Sequence, residues 1–175
     1  MKTVLIFLIF VSGCFADLLQ VKIGDDEKIQ KRIFFINKKM NELKGADKLI
    51  QLEEVNNFFN AFIKYASDEK LYGKSNHIAS LEETVRVGMR GDCDDYVMAK
   101  LQALQYLGWE IQDMKLFFSN VDNGTRHVKL FVKLEDKVLI LDSYNKKFRA
   151  LTKELKEENP RIASSMIYHQ LLASR

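Results

Sequence analysis

The fold is decided by the stretch Gly91-Asp92-Cys93-Asp94-Asp95-Tyr96, which opens a helix that runs to about Leu107 and is stopped by Gly108. At about 100° per residue, Cys93 falls near the centre of an apolar arc of this helix. The other members of the arc are Val97, Leu101, Ala103, Leu104 and Leu107. Asp92 is predicted to be the N-cap, and Asp95 completes a capping box three residues later. The Cys93 thiol is therefore expected to point inward from the helix tip.

Opposing electrostatic effects act on Cys93. The first turn of a helix favours a thiolate, because its unpaired N–H groups and the helix dipole attract negative charge. The neighbouring carboxylates of Asp92, Asp94 and Asp95 disfavour a thiolate and should raise the pKa of the thiol. The sequence therefore predicts either that a bound cation offsets these charges or that Cys93 is inert.

The composition indicates one ordinary domain. The 175 residues, 47% of them hydrophobic, are enough to bury a real core. The formal net charge of +3 falls to +2 when residues 1–16, which hold one lysine and no acid, are removed. So small a charge does not indicate nucleic acid or a membrane surface as a partner. We expect a monomer that binds no nucleic acid.

The N-terminus is typical of a secretory signal. A basic start is followed by the short apolar run 4–11 and by small residues that end at Ala16. The run is too short to span a membrane. We expect a signal peptide at 1–16 and one domain at 17–175, released as a soluble protein. A lipid on Cys14 is the alternative, because residues 11–14 also resemble a lipobox. In both cases Cys93 is left as the only free thiol of the mature protein, and no disulfide is expected.

Two helices are predicted before the Cys93 helix. The spacing of apolar residues predicts one from Ile29 to Gly45 and a second from about Ala46 or Asp47 to Ala66. Residues 67–80 are predicted to form a loop that leads into a short helix at 81–87. A last helix is expected to begin at Pro160.

Beyond Trp109 the apolar residues no longer follow helical spacing but alternate with polar ones, which predicts three antiparallel strands. Their ranges are 113–119, 126–134 and 137–142, with turns at 123–124 and 135–136. If Leu134 pairs with Lys137, His127 and Asp142 become diagonal neighbours on one face. That spacing, roughly 7–8 Å at the backbone, lets a His and an Asp side chain meet.

Cys93, His127 and Asp142 supply the residue types of a nucleophilic triad. A thiolate nucleophile needs a base within hydrogen-bond reach and a third group that orients the base. Each residue alone has an ordinary explanation, since a lone Cys is more often a small core residue and an Asp after a strand is often a turn residue. Lys100 lies within the apolar arc, and we expect it to reach solvent or to pair with an acid.

The sequence resembles the bacterial transglutaminase-like cysteine peptidases of the LapG type over roughly residues 68–145. The resemblance rests on 91–100, on Leu107-Gly108, on His127-Val128 and on the stretch 139–142. It implies an α+β, papain-like or transglutaminase-like fold, in which N-terminal helices and the nucleophile helix pack on a small antiparallel sheet. It also implies a triad of Cys93 as nucleophile, His127 as base and then acid, and Asp142 as the orienting carboxylate.

Further properties are implied by this resemblance alone. Members of the family are periplasmic and bind calcium through acidic residues beside the cysteine, which correspond to Asp92 and Asp94. They cleave a large surface adhesin near its N-terminus and so release cells from a biofilm. An inner-membrane receptor that senses cyclic-di-GMP binds them. The chain departs from the family at residues 77–80, where a Trp and a Pro are usual, and this departure predicts a different substrate-facing or receptor-facing edge.

Two other functions fit the same residues. One is a transglutaminase-like acyl transferase or amidase that acts on glutamine or on peptidoglycan peptides. The other is a calcium-binding interaction module whose triad is silent. The first would release ammonia or exchange an amine without chain scission, and the second would leave Cys93 no more reactive than an ordinary exposed thiol.

Overall fold

The computed structural model describes residues 17–120, 126–144 and 148–150. This part of the chain contains a helical layer packed on an antiparallel sheet. The α-helices are α1 (Glu27–Leu43), α2 (Lys48–Phe62), α3 (Asp68–Tyr72), α4 (Leu81–Arg86) and α5 (Cys93–Tyr106). The strands are β1 (Lys64–Tyr65), β2 (Arg90–Gly91), β3 (Met114–Asn120), β4 (Arg126–Leu134), β5 (Lys137–Leu141) and β6 (Arg149–Ala150). The predicted α+β class is confirmed.

The helices begin where the capping residues allow. The Asp26 side chain accepts a hydrogen bond from the Ile29 N–H at the start of α1, and Asp47 caps α2 in the same way. Capping of this kind satisfies N–H groups that have no partner within the helix. After α1, Gly45 adopts a φ of +77°, a conformation that a side chain would disfavour. The two predicted N-terminal helices are therefore confirmed.

Two local predictions are wrong. The second helix ends at Phe62 rather than at Ala66, because residues 64–65 form β1 and pair in parallel with β2. The Ala66 N–H donates to the Gly91 carbonyl, so this pairing brings the end of α2 close to Cys93. The predicted loop 67–80 contains the short helix α3. Long-range pairing overrode the helical pattern in the first case, as tertiary context often does.

The predicted hairpin register is confirmed. The main sheet has the order β3-β4-β5-β6, and Leu134 pairs with Lys137 across the tight turn at 135–136. Since Leu130 also pairs with Leu141, no bulge interrupts the register between these two pairs. His127 and Asp142 therefore lie on the same face of the sheet, as the hairpin register predicts.

The main core lies between the sheet and the helices. Helix α5 contacts β4 on one side and α2 and α4 on the other, so the helix that carries Cys93 is central. Phe59, Leu101, Leu104 and Leu130 are fully buried there. The opposite face of the sheet carries a second apolar cluster, in which the rings of Phe117 and Phe131 stack with centroids 4.7 Å apart.

The N-terminal segment is held against the helices. The backbone of Leu19 exchanges two hydrogen bonds with the buried Asn37 amide of α1. Asp25 forms an ion pair with Arg86 of α4. Within the described ranges, no helix is long and apolar enough to cross a membrane. The expected signal peptide, the turn at 123–124 and the helix after Pro160 lie outside the described residues.

Replacing Phe59 by Ala should lower the free energy of unfolding by about 3–5 kcal/mol, because a large buried side chain is lost. Phe59 has 0% exposure, whereas Phe34, also in a helix, is 63% exposed. Phe34→Ala is the matched control and should change the free energy of unfolding by about 0.5 kcal/mol or less. Urea denaturation followed by circular dichroism measures both. Equal losses would contradict this assignment of the core.

Candidate active site

The start of α5 is fixed by the predicted capping box. The Asp92 side chain accepts a hydrogen bond from the Asp94 N–H, and the Asp92 N–H donates to Asp95 Oδ2 at 3.2 Å. Asp95 Oδ1 accepts a second bond from the Ala79 N–H at 2.8 Å. A Cβ atom added at Gly91 would overlap the Asp95 carboxyl group, so glycine is needed for this close approach.

Cys93 lies at the tip of α5, half-buried against the sheet. The backbone N–H of Val128, the residue directly after His127, donates to its sulfur. Burial raises the pKa of the Cys93 thiol to about 11, and the charges of Asp92 and Asp94 act in the same direction, whereas the Val128 bond lowers it. The carboxylates thus oppose the thiolate, as the sequence predicts.

His127 and Asp142 meet as the hairpin register predicts. His127 Nε2 lies 2.7 Å from Asp142 Oδ1, and both side chains are buried. The Tyr144 N–H also donates to Asp142 Oδ1, at 2.9 Å. Burial alone would raise the pKa of Asp142, but the His127 hydrogen bond and charge, the Tyr144 N–H and Lys129 together lower it. Asp142 is therefore anionic, and its carboxylate is hydrogen-bonded to the imidazole of His127.

Three amide and amine side chains behind Asp142 were not predicted as part of the site. The Asn60 side chain of α2 donates to the Asp142 carbonyl at 2.8 Å, and Asn56 lies next to Asn60. Lys100 was predicted to reach solvent or to pair with an acid. Its side chain is fully buried, and its Nζ donates to the amide oxygen Asn56 Oδ1 at 2.9 Å, while no ion pair joins it to an acid of the described residues. No local sequence pattern marks these contacts, since they join distant parts of the chain.

An acidic cluster lies beside Cys93. Asp68, Asp92 and Asp95 each place a carboxylate oxygen within 4.8 Å of the others. Asp68 begins α3, in the segment predicted to be a loop, and no spacing in the sequence connects it to Cys93. Asp94, which the resemblance suggests as a metal ligand, lies outside this group of three, and its buried Oδ1 has no hydrogen-bond partner within the described ranges.

The acidic cluster fits a cation. Asp68 Oδ1 is buried and accepts no hydrogen bond from the described residues, although Asp68 Oδ2 accepts one from the His77 N–H. Burial raises the pKa of Asp68 and raises that of Asp95 to about 7, and the charge of Asp92 acts in the same direction on both. Hard carboxylate oxygens suit calcium, whose charge would stabilise all three as anions.

The comparison with protein families agrees with this site. Residues 30–155 match the family described as bacterial transglutaminase-like cysteine proteinase, BTLCP. The chain therefore belongs to the bacterial transglutaminase-like cysteine proteinases. The predicted cysteine peptidase class is confirmed, and such an enzyme acts on a protein substrate.

Solved structures of LapG from Legionella pneumophila are similar to this chain. One LapG structure is 26% identical over 79% of this chain and 74% of its own, with a TM-score of 0.64. The calcium-bound form is 26% identical over 79% and 75%, with a TM-score of 0.63. The EGTA-treated form is 27% identical over 79% and 72%, also with a TM-score of 0.63. A comparison with curated proteins gives no match. The resemblance to LapG-type peptidases is confirmed.

Replacing Gly91 by Ala should cost about 1–3 kcal/mol in the free energy of unfolding, because the added Cβ displaces the Asp95 carboxyl group. The amides of Asp92 and Ala79, which donate to Asp95, should then exchange their hydrogens faster. Arg90→Ala, at the exposed residue directly before Gly91, is the control and should change neither quantity. Exchange measured by NMR that is unchanged at both amides in Gly91→Ala would contradict the role of this glycine.

Proposed function

We propose that this chain is a calcium-dependent periplasmic cysteine endopeptidase with the triad Cys93, His127 and Asp142. The observation that carries the proposal is the 2.7 Å contact between His127 Nε2 and Asp142 Oδ1, on the strand whose Val128 N–H bonds to the Cys93 sulfur. These contacts support a nucleophile from α5, a base from β4 and an orienting carboxylate directly after β5.

The arrangement supports acyl transfer from a peptide bond to water. Asp142 holds Nε2 of His127, so Nδ1 is the ring nitrogen that accepts the thiol proton. The Cys93 thiolate attacks the scissile carbonyl, and the backbone N–H of Cys93 at the helix tip stabilises the oxyanion. His127 returns the proton to the leaving amine, which leaves a thioester on Cys93. Water activated by His127 then hydrolyses this thioester.

Asp68, Asp92 and Asp95 would hold the calcium ion. The sequence predicted Asp92 and Asp94 as metal ligands. This assignment keeps Asp92 and replaces Asp94 with Asp68 and Asp95, which form the cluster with Asp92. When bound, calcium supplies positive charge that offsets the carboxylates beside Cys93. The calcium-bound and EGTA-treated structures of LapG support calcium as the metal. The residues themselves fix the geometry of the helix tip, because Asp95 also holds residues 79 and 92.

The proposed substrate is a large surface adhesin that is cut near its N-terminus. We further propose periplasmic action after removal of the signal peptide, and an inner-membrane receptor for cyclic-di-GMP as a partner. These assignments are supported by the LapG-type character of the chain and by the apolar N-terminal run.

Cys93→Ala should abolish cleavage of the N-terminal region of a co-encoded surface adhesin, because the nucleophile is lost. Asp142→Asn should lower kcat by at least about 100-fold, since the amide cannot stabilise the imidazolium. Asp113→Asn, in the turn before β3, is the control for the loss of a carboxylate. Gel electrophoresis and mass spectrometry of the products measure cleavage.

Three outcomes contradict the endopeptidase proposal. Persistent cleavage by Cys93→Ala excludes Cys93 as the nucleophile. Release of ammonia or exchange of an amine without chain scission identifies an acyl transferase or amidase. Alkylation of Cys93 no faster than that of an exposed thiol, together with calcium binding, identifies a silent calcium-binding module.

Removal of calcium with EGTA should suppress cleavage, and added calcium should restore it. Asp68→Asn should weaken calcium binding by at least about tenfold, because the number of ligand charges sets the affinity of such sites. Calorimetry on the Cys93→Ala protein measures binding without turnover, with Asp113→Asn as the control. Unchanged affinity in Asp68→Asn would place the metal elsewhere.

A further inference from the structure

Lys100 is an unusual member of the core. It lies on α5, the helix that begins at Cys93, and its side chain has 0% exposure. Lysine is almost never fully buried unless it is paired, because its ammonium loses the solvation of water. Its Nζ donates a hydrogen bond to the amide oxygen Asn56 Oδ1, at 2.9 Å. A buried amine in this position needs an explanation beyond packing.

The contacts of Lys100 lead to the orienting carboxylate of the triad. Asn56 Oδ1 also accepts a long hydrogen bond of 3.4 Å from Asn60 Nδ2. The same Asn60 nitrogen donates to the Asp142 carbonyl at 2.8 Å. Lys100 on α5, Asn56 and Asn60 on α2, and Asp142 at the end of β5 thus form one continuous buried chain of polar groups.

The charges of Lys100 and Asp142 also interact. His127 and Lys129 of β4 contact the Asp142 carboxylate, the Tyr144 N–H donates to it, and the charge of Asp142 acts on Lys100 of α5. From α2, the Asn60 amide donates to the Asp142 backbone carbonyl. Asp142 Oδ1 is bonded by His127 and by the Tyr144 N–H, whereas Oδ2 accepts no hydrogen bond within the described ranges and lies 3.5 Å from Lys129 Nζ. Burial lowers the pKa of Lys100 to about 7, whereas the charge of Asp142 opposes this lowering.

We propose that Lys100 is a positioning residue for the triad, which acts through Asn56 and Asn60 to hold Asp142 against His127. Asp142 lies directly after Leu141, the last residue of β5, and residues 143–144 form a bend. Strand pairing therefore does not fix the position of the Asp142 backbone. The amide of Asn60 supplies the fixed point, and Lys100 holds the Asn56 side chain that adjoins it. An effect of Lys100 on catalysis rests on the proposed function, whereas its effect on the position of Asp142 does not.

The coupling is tested by NMR on the full chain with histidines labelled with 15N and with calcium present. The probe is the ring N–H of His127 that bonds Asp142, assigned by its loss in His127→Gln. Lys100→Met and Asn60→Ala should each remove or broaden this resonance through faster exchange with water. The double variant should add nothing, because both changes cut the same chain. Lys133→Met, an exposed lysine of β4, is the matched control and should leave the resonance unchanged.

Urea unfolding of each variant shows which proteins are folded when the resonance is read. Asn60→Ala tests the chain of polar groups where Lys100→Met does not fold, because it leaves Lys100 in place and removes the Asn60 bonds to Asn56 Oδ1 and to the Asp142 carbonyl. A resonance like that of the unmodified chain in either folded variant overturns the proposal. Loss of the resonance in the Lys133→Met control overturns it too.

Kinetics then separate positioning from substrate binding. In an active peptidase, Lys100→Met and Asn60→Ala should lower kcat by about 10-fold to 100-fold and leave KM unchanged, because a misplaced carboxylate affects the chemical step. An effect confined to KM overturns the proposed role. Should the unmodified chain cleave no substrate, the proposed function fails, while the NMR experiment still decides whether Lys100 positions Asp142.

Discussion

The Asp95 carboxylate is the constraint on which the arrangement of the site depends. Its two oxygens accept hydrogen bonds from the N–H groups of Asp92 and Ala79, so one side chain joins the helix tip to the segment before α4. Such a buried carboxylate is costly unless its bonding is satisfied. Gly91 permits the close approach, and its pairing with Tyr65 continues the constraint to the end of α2. The direction of α5, and with it the place of the Cys93 sulfur, follows from these contacts.

The same carboxylates create the electrostatic difficulty of the site. A helix N-terminus favours a thiolate, yet burial and the charges of Asp92 and Asp94 raise the pKa of the Cys93 thiol. The acids cannot be replaced without loss of the capping box, since Asp92 and Asp95 form it. The calcium ion proposed for the cluster of Asp92, Asp95 and Asp68 would meet both demands, because it would leave the hydrogen bonds intact and reduce the negative charge near the sulfur.

The sequence predicted the parts of the site that depend on local order. The capping box follows from a spacing of three residues, and the contact of His127 with Asp142 follows from the tight turn and the pleat of a hairpin. Asp68 and Asn60 could not be found in this way. Asp68 meets Asp92 only after the chain between them has folded, and Asn60 meets Asp142 across the packing of α2 on the sheet end. Helical periodicity placed Lys100 on the inner face of α5 but could not say which groups would surround it.

The distribution of buried polar groups is the strongest sign that this region was selected for chemistry. Most buried polar or charged residues in the described ranges lie around Cys93 or around the Asp142 carboxylate: Asn56, Asn60, Asp68, Asp95, Lys100, His127 and Asp142. The neighbouring core of α5 and β4 is apolar and close-packed, which is the cheaper way to stabilise a fold. A protein that needed only stability would fill these positions with hydrophobic side chains. A buried polar network is destabilised by the loss of any of its members. A substitution in this network is therefore expected to disturb both the geometry of the site and the stability of the fold.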